Sequence, residues 1–163
     1  IVQSLLSDGE DAANKLAEEK MTDAGQKLGE NISLGEMHRI EGDTLGSYVH
    51  SNSKIGVVVG LKGGNSDIAK DVAMHAAAMN PLYVSPDDVP AEEVEKEKNV
   101  WKEQLASEGK PEEIIEKIMM GKEKKFREEN ALVSQEFVKD PSKTIEQYLE
   151  GSTIEEYVRA AVG

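Results

Sequence analysis

Cysteine is absent from the 163 residues of this chain. Without thiols the protein cannot form a disulfide framework, a thiolate metal site or a cysteine nucleophile, which fits a reducing compartment. No apolar run approaches the roughly 20 residues of a membrane-spanning helix, and no signal-peptide pattern opens the sequence. We therefore expect a soluble, cytoplasmic protein that does not contact a membrane.

Basic residues are scarce relative to acidic ones. The chain has 19 lysines and arginines against 32 aspartates and glutamates, which gives a formal net charge of −13. Proteins bind nucleic acid mainly by neutralising phosphates with lysine and arginine, so this balance argues against direct binding of RNA or DNA. We expect the protein to address another protein instead.

The residues needed for catalysis or metal binding do not form a recognisable set. His38, His50 and His75 lack the spacing of metal ligands, and no His-Glu-x-x-His motif occurs. The glycine-rich segment 60–65 stands where a phosphate loop would lie, but it lacks the Gly-Lys-Ser/Thr order, which favours a flexible turn. We predict no enzymatic activity, no cofactor and no metal site.

An alanine-rich segment that contains His75 is the most informative part of the sequence. Asn65 or Ser66 can cap a helix, and Pro81 disfavours helical geometry in the residue before it, so the sequence predicts a helix from about Asp67 to Met79. The helical repeat places His75 at the flank of the apolar face, half inside and half available. Two alternatives follow: a contact for a partner, or a histidine at the edge of the core that is hydrogen-bonded to the adjoining sheet.

The flanking pattern predicts an α+β fold with an antiparallel sheet of three to four strands packed with helices. Apolar and polar residues alternate or cluster over 31–40, 44–51 and from Ile55 onwards, which indicates three strands, the last two forming a hairpin. On propensity alone, the tail from Thr153 is expected to form a helix. A short helix is expected after Asp140.

Two charged segments with sparse apolar residues predict a projecting antiparallel helical hairpin of the coiled-coil type. Gly109 and Pro111 provide the tight connection between its helices. The expected domains are a lead-in helix over 1–30 that ends at Gly29, a core formed by 31–90 and 131–163, and the hairpin over 91–130. The apolar seams of the two helices contain Val94, Trp101, Leu105, Ile115, Met119 and Phe126.

Several short motifs, in the same order along the chain, resemble the elongation factor Ts family. They are the Ala-Met-His helix that leads into Asn80-Pro81, and the segments 27–32, 41–50, 55–60, 109–111, 115–126 and 135–142. The resemblance implies a guanine nucleotide exchange factor whose partner is elongation factor Tu. It implies that the tail from Thr153 is the closing strand of the core, which we favour over a helix. It also implies that a matching histidine inserts into a hydrophobic pocket on a non-nucleotide domain of the partner, which makes His75, Ala78, Met79 and Asn80 the expected partner-binding residues.

One motif of the family is missing. Nothing in the sequence reads Thr-Asp-Phe-Val, which in the family disturbs the magnesium site of the partner, and Gly63–Ile68 stands where a strand-to-helix turn might carry it. Because the chain starts at Ile1 and resembles only the carboxy-terminal half of the family's core, we expect a fragment that docks without exchanging nucleotide alone. The alternative is a structural or homodimerisation module, a role known for shorter family members.

Overall fold

The computed structural model describes residue 5 and residues 7–162, and it contains two compact units that divide between Arg39 and Ile40. In the first unit, helix α1 spans Glu10–Leu28 and buries Ala13 and Ala17. Gly29 ends the helix with a left-handed backbone (φ 69°), and its N–H donates to the carbonyl of Gly25. This helix was expected, although the first residues of the predicted 1–30 domain lie outside the described part.

The segment that follows α1 corrects the sequence interpretation. Residues 31–40 form no strand in the structure, although their pattern predicted one. Their side chains are mostly exposed, and among the described residues none of this stretch belongs to a paired strand. A strand depends on a neighbour for its backbone hydrogen bonds, so alternation without a neighbour leaves an irregular segment.

The second unit is built on a three-stranded antiparallel sheet in the order β1-β2-β5. Strand β1 spans Thr44–Val49, β2 spans Ile55–Lys62 and β5 spans Thr153–Ala161. The expected β1–β2 hairpin is present, and the tail is a strand despite its helical propensity, because it pairs along the whole of β2. The α+β prediction is confirmed, with three strands in this sheet.

Helix α2, Ser66–Met79, lies on one face of the sheet and forms the centre of the core with it. Its close approach depends on Gly46 in β1, because a Cβ atom there would overlap the backbone of Ala69. The buried members of this core are Val57, Val59, Leu61, Ile68, Ala69, Val72, Ala73, Ala76, Ala77, Leu132, Phe137, Ile145 and Leu149.

The predicted helical hairpin is also present. Helix α3 spans Ala91–Ser107 and α4 spans Glu112–Asn130, and Gly109 turns the chain between them with a left-handed backbone (φ 69°). The seam that was expected brings the rings of Trp101 and Phe126 edge to face, with centroids 5.8 Å apart. Its coiled-coil character and the three-part division of the chain stay predictions.

The chain returns from the hairpin through a 3-10 turn, Leu132–Ser134, into the short strands β3 (Glu136–Phe137) and β4 (Asp140–Thr144). Helix α5, Ile145–Tyr148, follows, so the predicted short helix exists but begins after a strand that was not expected. Thr144 sets this start, because its hydroxyl accepts the N–H of Gln147 in a capping box.

Candidate functional site

The carboxy-terminal end of α2 carries the residues that the sequence singled out. The side chain of Asn65 caps the other end by accepting the N–H groups of Asp67 and Ile68. Asn80 ends the helix with a left-handed backbone (φ 50°), a conformation that asparagine tolerates better than most residues. The predicted boundaries of this helix are therefore confirmed.

His75 is completely buried, with 0% of its surface exposed, so the expectation of a half-available side chain is wrong. The ring packs near Phe137, with ring centroids 6.2 Å apart. Its Nδ1 atom accepts the backbone N–H of Val138 at 3.3 Å, and Nε2 lies 3.0 Å from Oε1 of Gln135. The alternative of a histidine at the edge of the core bonded to the adjoining sheet is met in part: the ring is hydrogen-bonded inside the protein, but it is fully buried, and its partners Val138 and Gln135 flank β3 and do not belong to the three-stranded sheet.

The hydrogen-bond partners fix the protonation of the ring. Because the Val138 N–H can only donate, Nδ1 must be the acceptor. The proton of neutral His75 therefore resides on Nε2, which donates a hydrogen bond to Oε1 of Gln135. The amide of Gln135 extends this hydrogen-bond network, because its Nε2 donates to the carbonyl of Glu129 at 2.8 Å. One buried ring thus connects α2, the end of α4 and the residues after β3.

Burial also decides the charge of this histidine. Removing the imidazolium from water lowers the pKa of His75 below its usual value, and the hydrogen bond to Gln135 acts in the opposite direction without cancelling the effect. His75 is therefore neutral at neutral pH, which agrees with the acceptor role of Nδ1.

The three residues after the buried part of α2 face solvent. Ala78 and Asn80 are exposed, and 49% of the Met79 side chain is exposed even though its neighbours Ala76 and Ala77 are buried. The predicted site residues therefore divide into a buried histidine and an exposed end of the helix. The exposed end can meet another molecule without rearrangement.

A second polar cluster secures α2 from its other flank. The carboxylate of Asp71 accepts from Lys139 Nζ at 2.5 Å and from the Tyr148 hydroxyl at 2.8 Å. Burial raises the pKa of the Asp71 carboxyl, but these two hydrogen bonds and the positive charges of Lys139 and Lys70 together outweigh it and hold the pKa below its usual value. Burial and the neighbouring carboxylate raise the pKa of Tyr148 to about 12, so the phenol stays a donor.

The chain matches known proteins over almost its full length. The model of the family described as Elongation factor TS matches residues 3–163. The chain belongs to the elongation factor Ts family. It is 49% identical to Elongation factor Ts of Marinobacter nauticus over 140 residues, and the same holds for Elongation factor Ts of Cellvibrio japonicus.

These alignments cover 85% of the chain and 48% of each relative. A third relative, Elongation factor Ts of Francisella tularensis subsp. novicida, is 49% identical over 139 residues, which are 84% of the chain and 48% of that relative. The chain spans about half the length of the elongation factor Ts relatives that it matches. The resemblance carried by the short motifs is thus confirmed for the family.

The described residues of this elongation factor Ts chain contain no group of three histidine, aspartate or glutamate side chains that could hold a metal ion. Over the same residues, every helix is too short or too polar to pass through a lipid bilayer.

Sequence reasoning missed Gln135 and Val138, which hold the His75 ring. Both belong to a segment that resembles the elongation factor Ts family, so the segment was noticed while its contact was not. Gln135 and Val138 lie 60 and 63 residues from His75 in the sequence, and no local pattern links positions at that distance. A buried polar ring does need partners, and glutamine is one of the few neutral side chains that can accept a hydrogen bond from the N–H at Nε2.

Proposed function

We propose that this chain is the part of a translation elongation factor that docks onto elongation factor Tu, within a guanine nucleotide exchange factor of the cytoplasm. Membership of the elongation factor Ts family over residues 3–163 carries the proposal. The formal charge of −13 is consistent with a protein partner rather than nucleic acid. The chain then acts by binding, as a noncatalytic factor.

The docking contact that we propose is the exposed end of α2, formed by Ala78, Met79 and Asn80. His75 supports this site from the core and does not contact the partner. Insertion of its ring into a partner would break its hydrogen bonds to Gln135 and Val138 and leave a cavity where the ring was. Its contribution is to hold the helix end in place. The exposed thioether of Met79 offers flexible apolar surface for contact.

Docking and nucleotide exchange are separate properties. A factor accelerates GDP release only if it binds the nucleotide-free partner more tightly than the GDP-bound partner, so it requires contacts that change between these states. The Thr-Asp-Phe-Val motif, which would supply such contacts, does not occur in the 163 residues. We therefore propose that this chain binds elongation factor Tu but does not accelerate release alone.

Isothermal titration calorimetry with elongation factor Tu, with and without GDP, tests the docking. We expect binding in both cases and little difference between the two affinities. Release of a fluorescent GDP analogue, followed by stopped flow, tests exchange, and we expect the release rate to be unchanged by this chain. Failure to bind either form overturns the docking proposal, and faster GDP release overturns the separation of docking from exchange.

A homodimerisation module is the second candidate, and the exposed edge of the sheet favours it. Strand β1 is an edge strand, and 52% of Leu45 and 65% of Val49 are exposed on it. Unpaired strand edges invite pairing with another chain. Light scattering at several concentrations tests this candidate, and a monomeric mass over the whole range rejects it.

A further inference from the structure

The helical hairpin is joined to the rest of the second unit at its base. The chain enters α3 through a 3-10 turn, Pro86–Asp88, and leaves α4 at Asn130. The N–H groups of Leu82 and Tyr83 both donate to the carbonyl of Asn130, so main-chain hydrogen bonds hold the two crossings together. From this base α3 extends over 17 residues, about 25 Å. Contacts above the base therefore act on the direction of the hairpin with a longer lever arm than the base itself.

Arg127 connects α4 to the entry turn about one helical turn before α4 ends. Its Nη1 atom donates to the carbonyls of Pro86 and Val89 at 3.2 and 3.1 Å. From Nε the same guanidinium donates to the carboxylate of Glu123, one turn earlier in α4, at 3.3 Å. The planar guanidinium holds these acceptors in a fixed geometry, whereas the ammonium group of a lysine is a point charge on a flexible stem.

Glu123 extends this connection to the other helix of the hairpin. Its carboxylate accepts from Lys98 of α3 at 2.8 Å. Only 25% of the Arg127 side chain, 28% of Glu123 and 29% of Lys98 are exposed, so salt screens this network less than it screens pairs on the open surface. Hydrogen bonds from Lys98 and Arg127 lower the pKa of Glu123, and those to Glu123 and Glu95 raise the pKa of Lys98. The three groups therefore keep their charges at neutral pH.

The turn that accepts from Arg127 is itself rigid. Ser85 and Asp88 form a capping box at its start. In this box the Ser85 hydroxyl accepts the N–H of Asp87 at 3.2 Å, and the Asp88 carboxylate accepts the N–H of Ser85 at 2.8 Å. Val89, which follows the turn, is buried with 3% of its surface exposed. Arg127 thus fixes α4 to a segment that cannot move with it.

We propose that Arg127 is a positioning residue that locks the direction in which the hairpin leaves the core. With Glu123 and Lys98 it joins α3, α4 and the entry turn, so the hairpin is a stiff arm, and it swings about its base when the lock is open. A stiff arm needs little ordering when another molecule contacts it, which favours affinity. This inference goes beyond the docking to elongation factor Tu and does not depend on it.

Pulsed double electron–electron resonance measures the direction of the hairpin. Because the chain has no cysteine, two introduced cysteines carry the only spin labels. Ala106→Cys near the far end of α3 is paired with Ser47→Cys on β1 in one protein and with Glu155→Cys on β5 in a second, and all three positions are exposed. From the start of α3 to Ala106 the helix rises about 22 Å, so each 10° of swing moves the label by about 4 Å. Two reference strands detect a swing that leaves one of the distances constant.

Two substitutions of Arg127 open the lock to different degrees. Arg127→Gln removes the charge, and Arg127→Lys keeps the charge without the planar fork. We expect Arg127→Gln to shift or widen at least one distance distribution by about 4 Å or more, which corresponds to a swing of about 10°. Arg127→Lys should produce a smaller change of the same kind. The matched control is Lys124→Gln, which removes a positive charge from the same helix, and it should leave both distributions unchanged because Lys124 is 77% exposed and lies 3.7 Å from Glu128.

The distances separate a positioning role from a merely stabilising one. If Arg127 only stabilises the fold, its variants unfold at lower urea concentration while the distances in the folded protein stay the same, and this result overturns the proposal. An equal change in Lys124→Gln and Arg127→Gln also overturns it, because the effect then belongs to the charge of α4 in general. If circular dichroism shows that Arg127→Gln does not fold, the distances in Arg127→Lys decide, and unchanged distances there reject the lock.

Discussion

Acidification should destabilise this protein through His75 before its carboxylates become protonated. The folded state keeps the pKa of His75 below the usual value of about 6.5 because the ring is buried. As the pH falls through 6.5, the unfolded chain takes up a proton that the folded chain does not. The stabilisation from neutral His75 is thus fully present above pH 6.5 and is lost as the pH falls toward the folded-state pKa.

Linkage sets the size of this effect. If His75 stays neutral in the folded state, the unfolded state gains about 1.4 kcal/mol between pH 7.5 and pH 5.5, which is the upper limit for one group with an unfolded pKa of about 6.5. The structure gives the reason for the preference, since a proton on Nδ1 would face the N–H of Val138 in a fully buried site.

Urea unfolding at pH 7.5, 6.5 and 5.5, followed by far-ultraviolet circular dichroism, measures this loss. The matched variant is His75→Gln, because glutamine does not titrate and can both accept from Val138 and donate to Gln135. The unmodified protein should lose up to about 1.4 kcal/mol more than His75→Gln over this range. Equal pH dependence in both proteins would refute the assignment of the effect to His75.

The remaining predictions concern packing around α2. Gly46→Ala should destabilise the fold by about 1–3 kcal/mol or more, because its Cβ would overlap the backbone of Ala69. Gly56→Ala in the next strand has open space and should be tolerated, so equal losses in urea unfolding would contradict the argument. Tyr148→Phe keeps the ring but removes its bond to Asp71, and it should cost about 1–3 kcal/mol at neutral pH. The same unfolding measurement checks it, and no loss would exclude a net contribution from that bond.

Local signals in the sequence predict those helices whose ends are marked by capping residues, proline or glycine. Asn65 and Pro81 bound α2, and Gly29 and Gly109 end helices with the left-handed backbone that glycine adopts readily. Residues 31–40 show the limit of this reasoning, because their alternation predicts a strand, and a strand forms only beside a neighbouring strand. The pattern along a chain contains no information on whether that neighbour is in reach.

The exposure of His75 could not be predicted for a related reason. Helical periodicity assigned the ring to the flank of α2, and a flank is exposed unless another element covers it. The β3–β4 hairpin and the 3-10 turn at Leu132–Ser134 supply that cover, and they come from a part of the chain for which the sequence predicts only a short helix. Such short strands and turns depend on tertiary contacts more than on the intrinsic secondary-structure propensity of their residues.

The same contacts explain why a polar ring belongs at the centre of the candidate site. An apolar residue in place of His75 could fill the space beside Phe137, but it would leave the N–H of Val138 and the amide oxygen of Gln135 without partners, at a cost of about 1–3 kcal/mol for each buried group. The histidine satisfies both groups and joins α2 to the residues around β3 and, through Gln135, to the end of α4. It therefore holds the exposed end of α2, including Met79, in place while being completely buried itself.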